Sequence, residues 1–125
     1  MAAVIISKGD QSFQVTIPHA LMTGALSAYN ELWFTAKYDY SDLDSAAPLP
    51  QKLKRVGGVT IITPGSTTVD GVIAVALTAG DWAATTLPDY GYTLVYSVKG
   101  KDASNIEETL VSDLLWVKAS AVKAS

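Results

Sequence analysis

Apolar and polar positions alternate along most of this chain with the two-residue period of a β-strand. From Ser12 to Pro18, Phe13, Val15 and Ile17 share one face and Gln14 and Thr16 the other, the pattern of a half-buried strand. Glu31 to Tyr38 repeats it, with Leu32, Phe34, Ala36 and Tyr38 opposite Trp33, Thr35 and Lys37. Tyr90 to Lys99 is the most aromatic strand and places Tyr92, Leu94, Tyr96 and Val98 together. Val4 to Ser7 reads as a short first strand ended by Gly9-Asp10, and Val59 to Thr63 as a β-branched strand entered from Gly57-Gly58. Val72 to Leu77 is apolar on both faces, which predicts a strand lying centrally or against a neighbour. Lys52 to Arg55 is a short basic strand or an extended connection, and His19 to Asn30 a loop turning at Thr23-Gly24. Ile106 to Lys118 closes the pattern as a long strand, with a bulge expected near Ser112-Asp113.

Two strands are followed by the same local device. After Leu32–Lys37 comes Ser41-Asp42-Leu43-Asp44 and a stop at Pro48; after Val72–Leu77 comes Thr78-Ala79-Gly80-Asp81 and a stop at Pro88. A Ser or Thr three residues before an acid predicts a capping box. The hydroxyl accepts from the backbone N–H of the acid, whose carboxylate returns to the N–H of the cap. Each box predicts a short helical crossover between strands.

Seven or eight strands and two such crossovers in 125 residues suit an all-β fold. The expected architecture is a two-sheet antiparallel sandwich of immunoglobulin-like type. The expected domain spans residues 1–118, with 119–125 as a C-terminal arm or frayed tail that repeats Lys-Ala-Ser. Asp89-Tyr90-Gly91-Tyr92 matches a tyrosine corner weakly, its tyrosine falling one position early. With no cysteine, the Cys…Trp…Cys signature, disulfides and thiolate metal sites are all excluded.

Charge narrows the partners. Nine basic and 12 acidic side chains give a net charge of −3 without a basic stripe, which speaks against nucleic acid. Charged residues are only 17% of the chain, fewer than usual, so part of the surface is expected to lie against neighbours. The apolar start at Met1–Ile6 lacks the basic flank of a signal peptide, and no stretch is long enough for a membrane span. A soluble protein made in a cytoplasm, without membrane partners, is expected.

No reaction chemistry emerges from the side chains. His19 is the single histidine and follows Pro18 at a strand end, where a surface turn is expected. Asp39, Asp42 and Asp44 are the densest acidic cluster, but the EF-hand glycine and glutamate are missing and capping accounts for part of it. Asp81 and Asp89 resemble a hydrolase carboxylate pair only superficially, since Asp81 has a capping duty. Trp33, Trp82 and Trp116, with six tyrosines, could form a sugar-stacking platform. The stronger expectation is packing, with Trp33 and Trp116 between sheets and Trp82 plugging one end of the sandwich. No catalytic residue, cofactor or metal site is therefore predicted, and the chain is expected not to be an enzyme.

A resemblance adds what composition does not. Leu32–Lys37, Ser41–Ala47 and Gln51-Lys52, then Gly71-Val72, Leu77–Ala84, Leu87-Pro88 and the tyrosine-rich strand to Val98, resemble small tailed-phage virion domains. These are the immunoglobulin-like domains near the N-terminus of phage baseplate upper proteins and in stand-alone phage structural proteins. The likeness runs from Ser12 to Lys118, departing where Gly91-Tyr92-Thr93-Leu94-Val95-Tyr96 and Glu107-Glu108-Thr109 replace the usual patterns. It implies a virion location and a structural role. That role would be capsid decoration or cement bound to the major capsid protein, or a tail, neck or baseplate part. It also implies a homo-oligomer, commonly a trimer. A carbohydrate- or host-surface-binding module is the remaining alternative. The strand Val4-Ile5-Ile6 offers an edge that a neighbouring chain could pair.

Overall fold

The computed structural model describes residues 3–42, 47–49, 51–54, 57–85, 87 and 91–119. Among the described residues, eight strands form two sheets: β1 (Val4–Ser7), β2 (Ser12–Ile17), β3 (Glu31–Lys37), β4 (Lys52–Leu53), β5 (Val59–Thr63), β6 (Gly71–Ala76), β7 (Gly91–Lys101) and β8 (Glu107–Lys118). One sheet runs β1-β8-β7-β3-β4 and the other β2-β6-β5. This is the immunoglobulin-like distribution, in which the second, fifth and sixth strands face the third, seventh and eighth. All pairs are antiparallel except β1 with β8, which are parallel, so the first strand covers one edge of the larger sheet.

Alternation sorts the residues as the sequence predicts. Phe13, Val15 and Ile17 face Leu32, Phe34, Ala36, Leu94, Tyr96 and Val98 across one core. Three aromatic rings meet in this core, one contact crossing between the sheets and one lying within the larger sheet. Phe13 of β2 meets Phe34 of β3 edge-on at 5.3 Å, and Phe34 stacks on Tyr96 of β7 at 5.5 Å. Those are the three strands on which immunoglobulin domains carry their disulfide and core tryptophan. Here an aromatic trio takes that place. The doubly apolar β6 is central in its sheet, as expected.

Local chemistry sets the connections. The loop after β2 forms 3₁₀ turns at His19–Leu21 and Leu26–Ala28. Tyr29, next in the chain, lays its ring on Gly100 of β7 so closely that a Cβ there would stand 2.5 Å from the ring. Its hydroxyl donates to Glu108 at 2.6 Å. Burial first, then the bond to Glu108, pushes the Tyr29 phenol above its ordinary value. The second capping box is present at helix α1 (Ala79–Ala84): Asp81 N–H donates to Thr78 Oγ1 at 3.1 Å, and Thr78 N–H to Asp81 Oδ2 at 2.8 Å.

One expectation changes, and three others fall wholly or partly outside the described residues. The first capping box falls largely on residues 43–46, outside the described residues, so only one helical crossover is seen; Ser41 Oγ itself donates to Asp39 at 2.9 Å. The bulge of the last strand lies not at Ser112-Asp113, which pair regularly with Ser97 and Tyr96, but at Leu110, between the partners of Val98 and Lys99. Consecutive Leu110 and Val111 are both buried, and an extra residue in the ladder is what lets both point inward. The tyrosine-corner match lies partly on residues 89–90, outside the described residues. Tyr92 instead meets Tyr38 edge-on at 5.0 Å. The tail from 120 to 125 also lies outside them.

Candidate functional site

The outer face of the five-stranded sheet carries the residues that the core does not take. Along β3 these are Trp33, Thr35 and Lys37; along β7, Thr93, Val95, Ser97 and Lys99; along β8, Ser112, Leu114 and Trp116. Register brings them side by side, so this face divides into two regions of different chemistry.

The first is an apolar strip at the β1 side. Ile5 pairs with Trp116, and Leu114 with Val95. Ile5 is 61% exposed, and Leu114 and Trp116 48% each. The Lys118 ammonium sits 5.9 Å from the Trp116 ring centroid, a loose cation–π contact. This corrects the expectation that Trp116 packs between the sheets. Leu115 and Val117 are the inward residues, and Trp116 between them must point out. β1 is an edge strand whose outer side pairs with no described strand.

The second region is a groove of about 550 Å³ lined by Trp33, Thr35, Gln51, Ser97, Ser112 and Tyr40, among others. Gln51 Nε2 donates to Thr35 Oγ1 at 2.8 Å, and the Ser97 and Ser112 hydroxyls lie 3.0 Å apart. Tyr40 reaches from the loop after β3 to the Asp113 carbonyl of β8 at 3.4 Å, crossing β7. Lys37 Nζ donates to the Asp42 carbonyl at 2.9 Å, and Lys99 and Glu107 also line the groove. Trp33 is half-buried on this face, with Phe34 taking the inward position beside it. It too departs from the expected packing between sheets.

The remaining candidates among the described residues have structural partners. His19 Nδ1 lies 2.6 Å from Asp70 Oδ1 at an exposed turn, as expected of a surface residue. The bonds from His19 hold the Asp70 carboxyl below its ordinary value. Asp39 accepts from the Ser41 N–H and hydroxyl, and Asp42 accepts from the Asp39 N–H, so both carboxylates brace a turn. Asp44 lies outside the described residues. Among the described residues, no three potential ligands gather as a metal site. Asp81 pairs with Lys52 at 2.6 Å, both largely shielded from solvent. Burial alone would raise its pKa, but the Lys52 bond and the Thr78 N–H outweigh it and hold the carboxyl below its usual 3.8. Asp89, its imagined partner, lies outside the described residues. Trp82 packs against the core edge and donates Nε1–H to the Asp10 carbonyl at 2.7 Å, consistent with an end plug. Burial, then the charges of Asp113 and Tyr40, push the Tyr96 phenol far above its ordinary value.

Sequence reasoning missed the groove because its residues come from four separate segments. Only the β3–β7–β8 register aligns Trp33 with Lys99 and Ser97 with Ser112. The signal available was weak: polar residues at the outward positions of strands otherwise rich in aromatics.

The fold thus defines an immunoglobulin-like β-sandwich. No family model and no curated protein matches the sequence. Among solved structures, the chain is similar to the YadV chaperone, at 14% identity and a TM-score of 0.43, over 99% of this chain. It spans about half of that chaperone's length, 52%. It is also similar to AggA, the major subunit of aggregative adherence fimbriae type I from Escherichia coli. There identity is 10% and TM-score 0.28, over 96% of this chain and 91% of that one.

Proposed function

We propose that this chain is a non-enzymatic structural protein of a tailed-phage virion, a capsid decoration or cement protein that binds and stabilises the head shell. The virion assignment rests on the sequence resemblance. The observation that carries the assembly role is the strip of Ile5, Leu114 and Trp116 beside the outer edge of β1. Large apolar side chains next to a strand edge that no described strand pairs suit burial against a repeated neighbour, whether a shell subunit or a second copy. The low charge of the chain agrees, at 17% of residues. The described candidate acids and the histidine are occupied in turns, caps and ion pairs, and this supports a role without catalysis.

Purified protein added to expanded, undecorated heads at micromolar concentration is expected to coat them and raise their melting temperature. Heads left uncoated would overturn the decoration role. Trp116→Lys is expected to fold and to lose coating, because it places a charge where the strip must be dehydrated. A tail, neck or baseplate position within the same class would appear as binding to tails and not to heads.

A further inference from the structure

We infer that the groove on the outer face of the five-stranded sheet is a saccharide-binding site, with Trp33 as its stacking platform. It uses residues apart from the Ile5–Leu114–Trp116 strip, so it stands independently of the assembly role.

The floor of the groove is a sheet whose backbone groups are taken up by the β3–β7 and β7–β8 ladders, so any ligand must be read by side chains. Those side chains combine one aromatic ring with hydroxyls and an amide: Trp33 beside Thr35, Gln51, Ser97, Ser112 and Tyr40. A sugar ring has matching chemistry, an apolar C–H face for the indole and a rim of hydroxyls for groups that both donate and accept. The volume of about 550 Å³ lies within the range of small-ligand sites, about 300–1,000 Å³.

Other ligands fit less well. A phosphate site would draw on free backbone N–H groups or an arginine. Among the described residues the groove lining has no arginine, its Lys37 ammonium is held by the Asp42 carbonyl, and its Lys99 shares the lining with the acid Glu107. A lipid chain would need a continuous apolar wall, whereas hydroxyls and charges interrupt this one. A peptide adding to a strand would need an open edge, and the groove lies on a face.

Most of the polar groups are also fixed before any ligand arrives. Gln51 is bonded to Thr35 and Ser97 lies against Ser112, while the more exposed Tyr40 reaches Asp113 at a long 3.4 Å. Thr35, Ser97 and Ser112 sit on paired strands and Gln51 is bonded to one of them, so these four have little side-chain freedom left to lose on binding.

The test titrates the full chain with soluble oligosaccharides of neutral hexose, N-acetylhexosamine and uronic acid units, each to about 10 mM. Tryptophan emission and amide chemical shifts are followed. At least one class is expected to bind saturably, shifting Ser97, Lys99 and Ser112. Trp33→Ala is expected to weaken that binding about tenfold or more, and Trp116→Ala to leave it unchanged. Gln51→Ala changes an exposed side chain and carries the same test if Trp33→Ala does not fold. Its binding is also expected to weaken. Failure of every class to saturate, or binding unaltered in both Trp33→Ala and Gln51→Ala, would overturn the site. Neither result bears on head coating, which is read on particles.

Discussion

At the scale of single residues, stability depends on a few close fits. Gly100 is the clearest, because the Tyr29 ring occupies the space a side chain would need. Gly100→Ala is predicted to cost about 1–3 kcal/mol, as overpacking does. Tyr29→Ala removes the obstructing ring, so the two costs are predicted to be less than additive in a double-mutant cycle read by chemical denaturation. Asp81 is a second such point, since one carboxylate serves both the capping box and Lys52. Its carboxyl titrates lower in the folded chain than in the unfolded one. The stability it contributes is therefore present above the unfolded value and is lost as pH falls through the folded value. Asp81→Asn is predicted to lower the unfolding midpoint at neutral pH, and its difference from the natural sequence is predicted to shrink below the ordinary carboxylate range. Thr78→Ala removes only the cap hydroxyl and is predicted to cost about 1 kcal/mol.

At the scale of elements, the alternation of side chains decided most of what could be read in advance. Period-two patterns placed β2, β3 and β7 and grouped most of their inward residues, because one buried face fixes register strongly, although Tyr92, grouped with them, is 44% exposed. The last strand defeated that logic at one point. Leu110 and Val111 are adjacent and both buried, which a regular strand does not allow, and the sequence marked no turn residue there. The bulge was legible as a broken alternation, not at the polar pair Ser112-Asp113. Leu110→Ala is predicted to cost about 2–5 kcal/mol, the range for a buried leucine, measured by denaturant unfolding. Trp116 was misplaced for a related reason. Aromatic type suggested burial, while its position between inward Leu115 and Val117 required exposure.

At the scale of the whole molecule, two packed sheets present a broad outer face on the five-stranded sheet. The fold class was legible because strand count, spacing and the Thr78 box are local properties. The division of the outer face into an apolar strip and a polar groove was not, because it arises only when β1, β3, β7 and β8 are set in register. That division gives the two surfaces proposed above, one for neighbours and one for a small ligand, which adjoin at Val95. Ile5→Lys is predicted to leave the fold intact, since Ile5 is outside the core, while reducing self-association seen by sedimentation. The central claim is that this chain is built into a virion. Quantitative mass spectrometry of purified particles, made by the genome that carries this chain, tests it most directly. The account predicts the protein in stoichiometric proportion to the shell subunits, and its absence from the particles would contradict it.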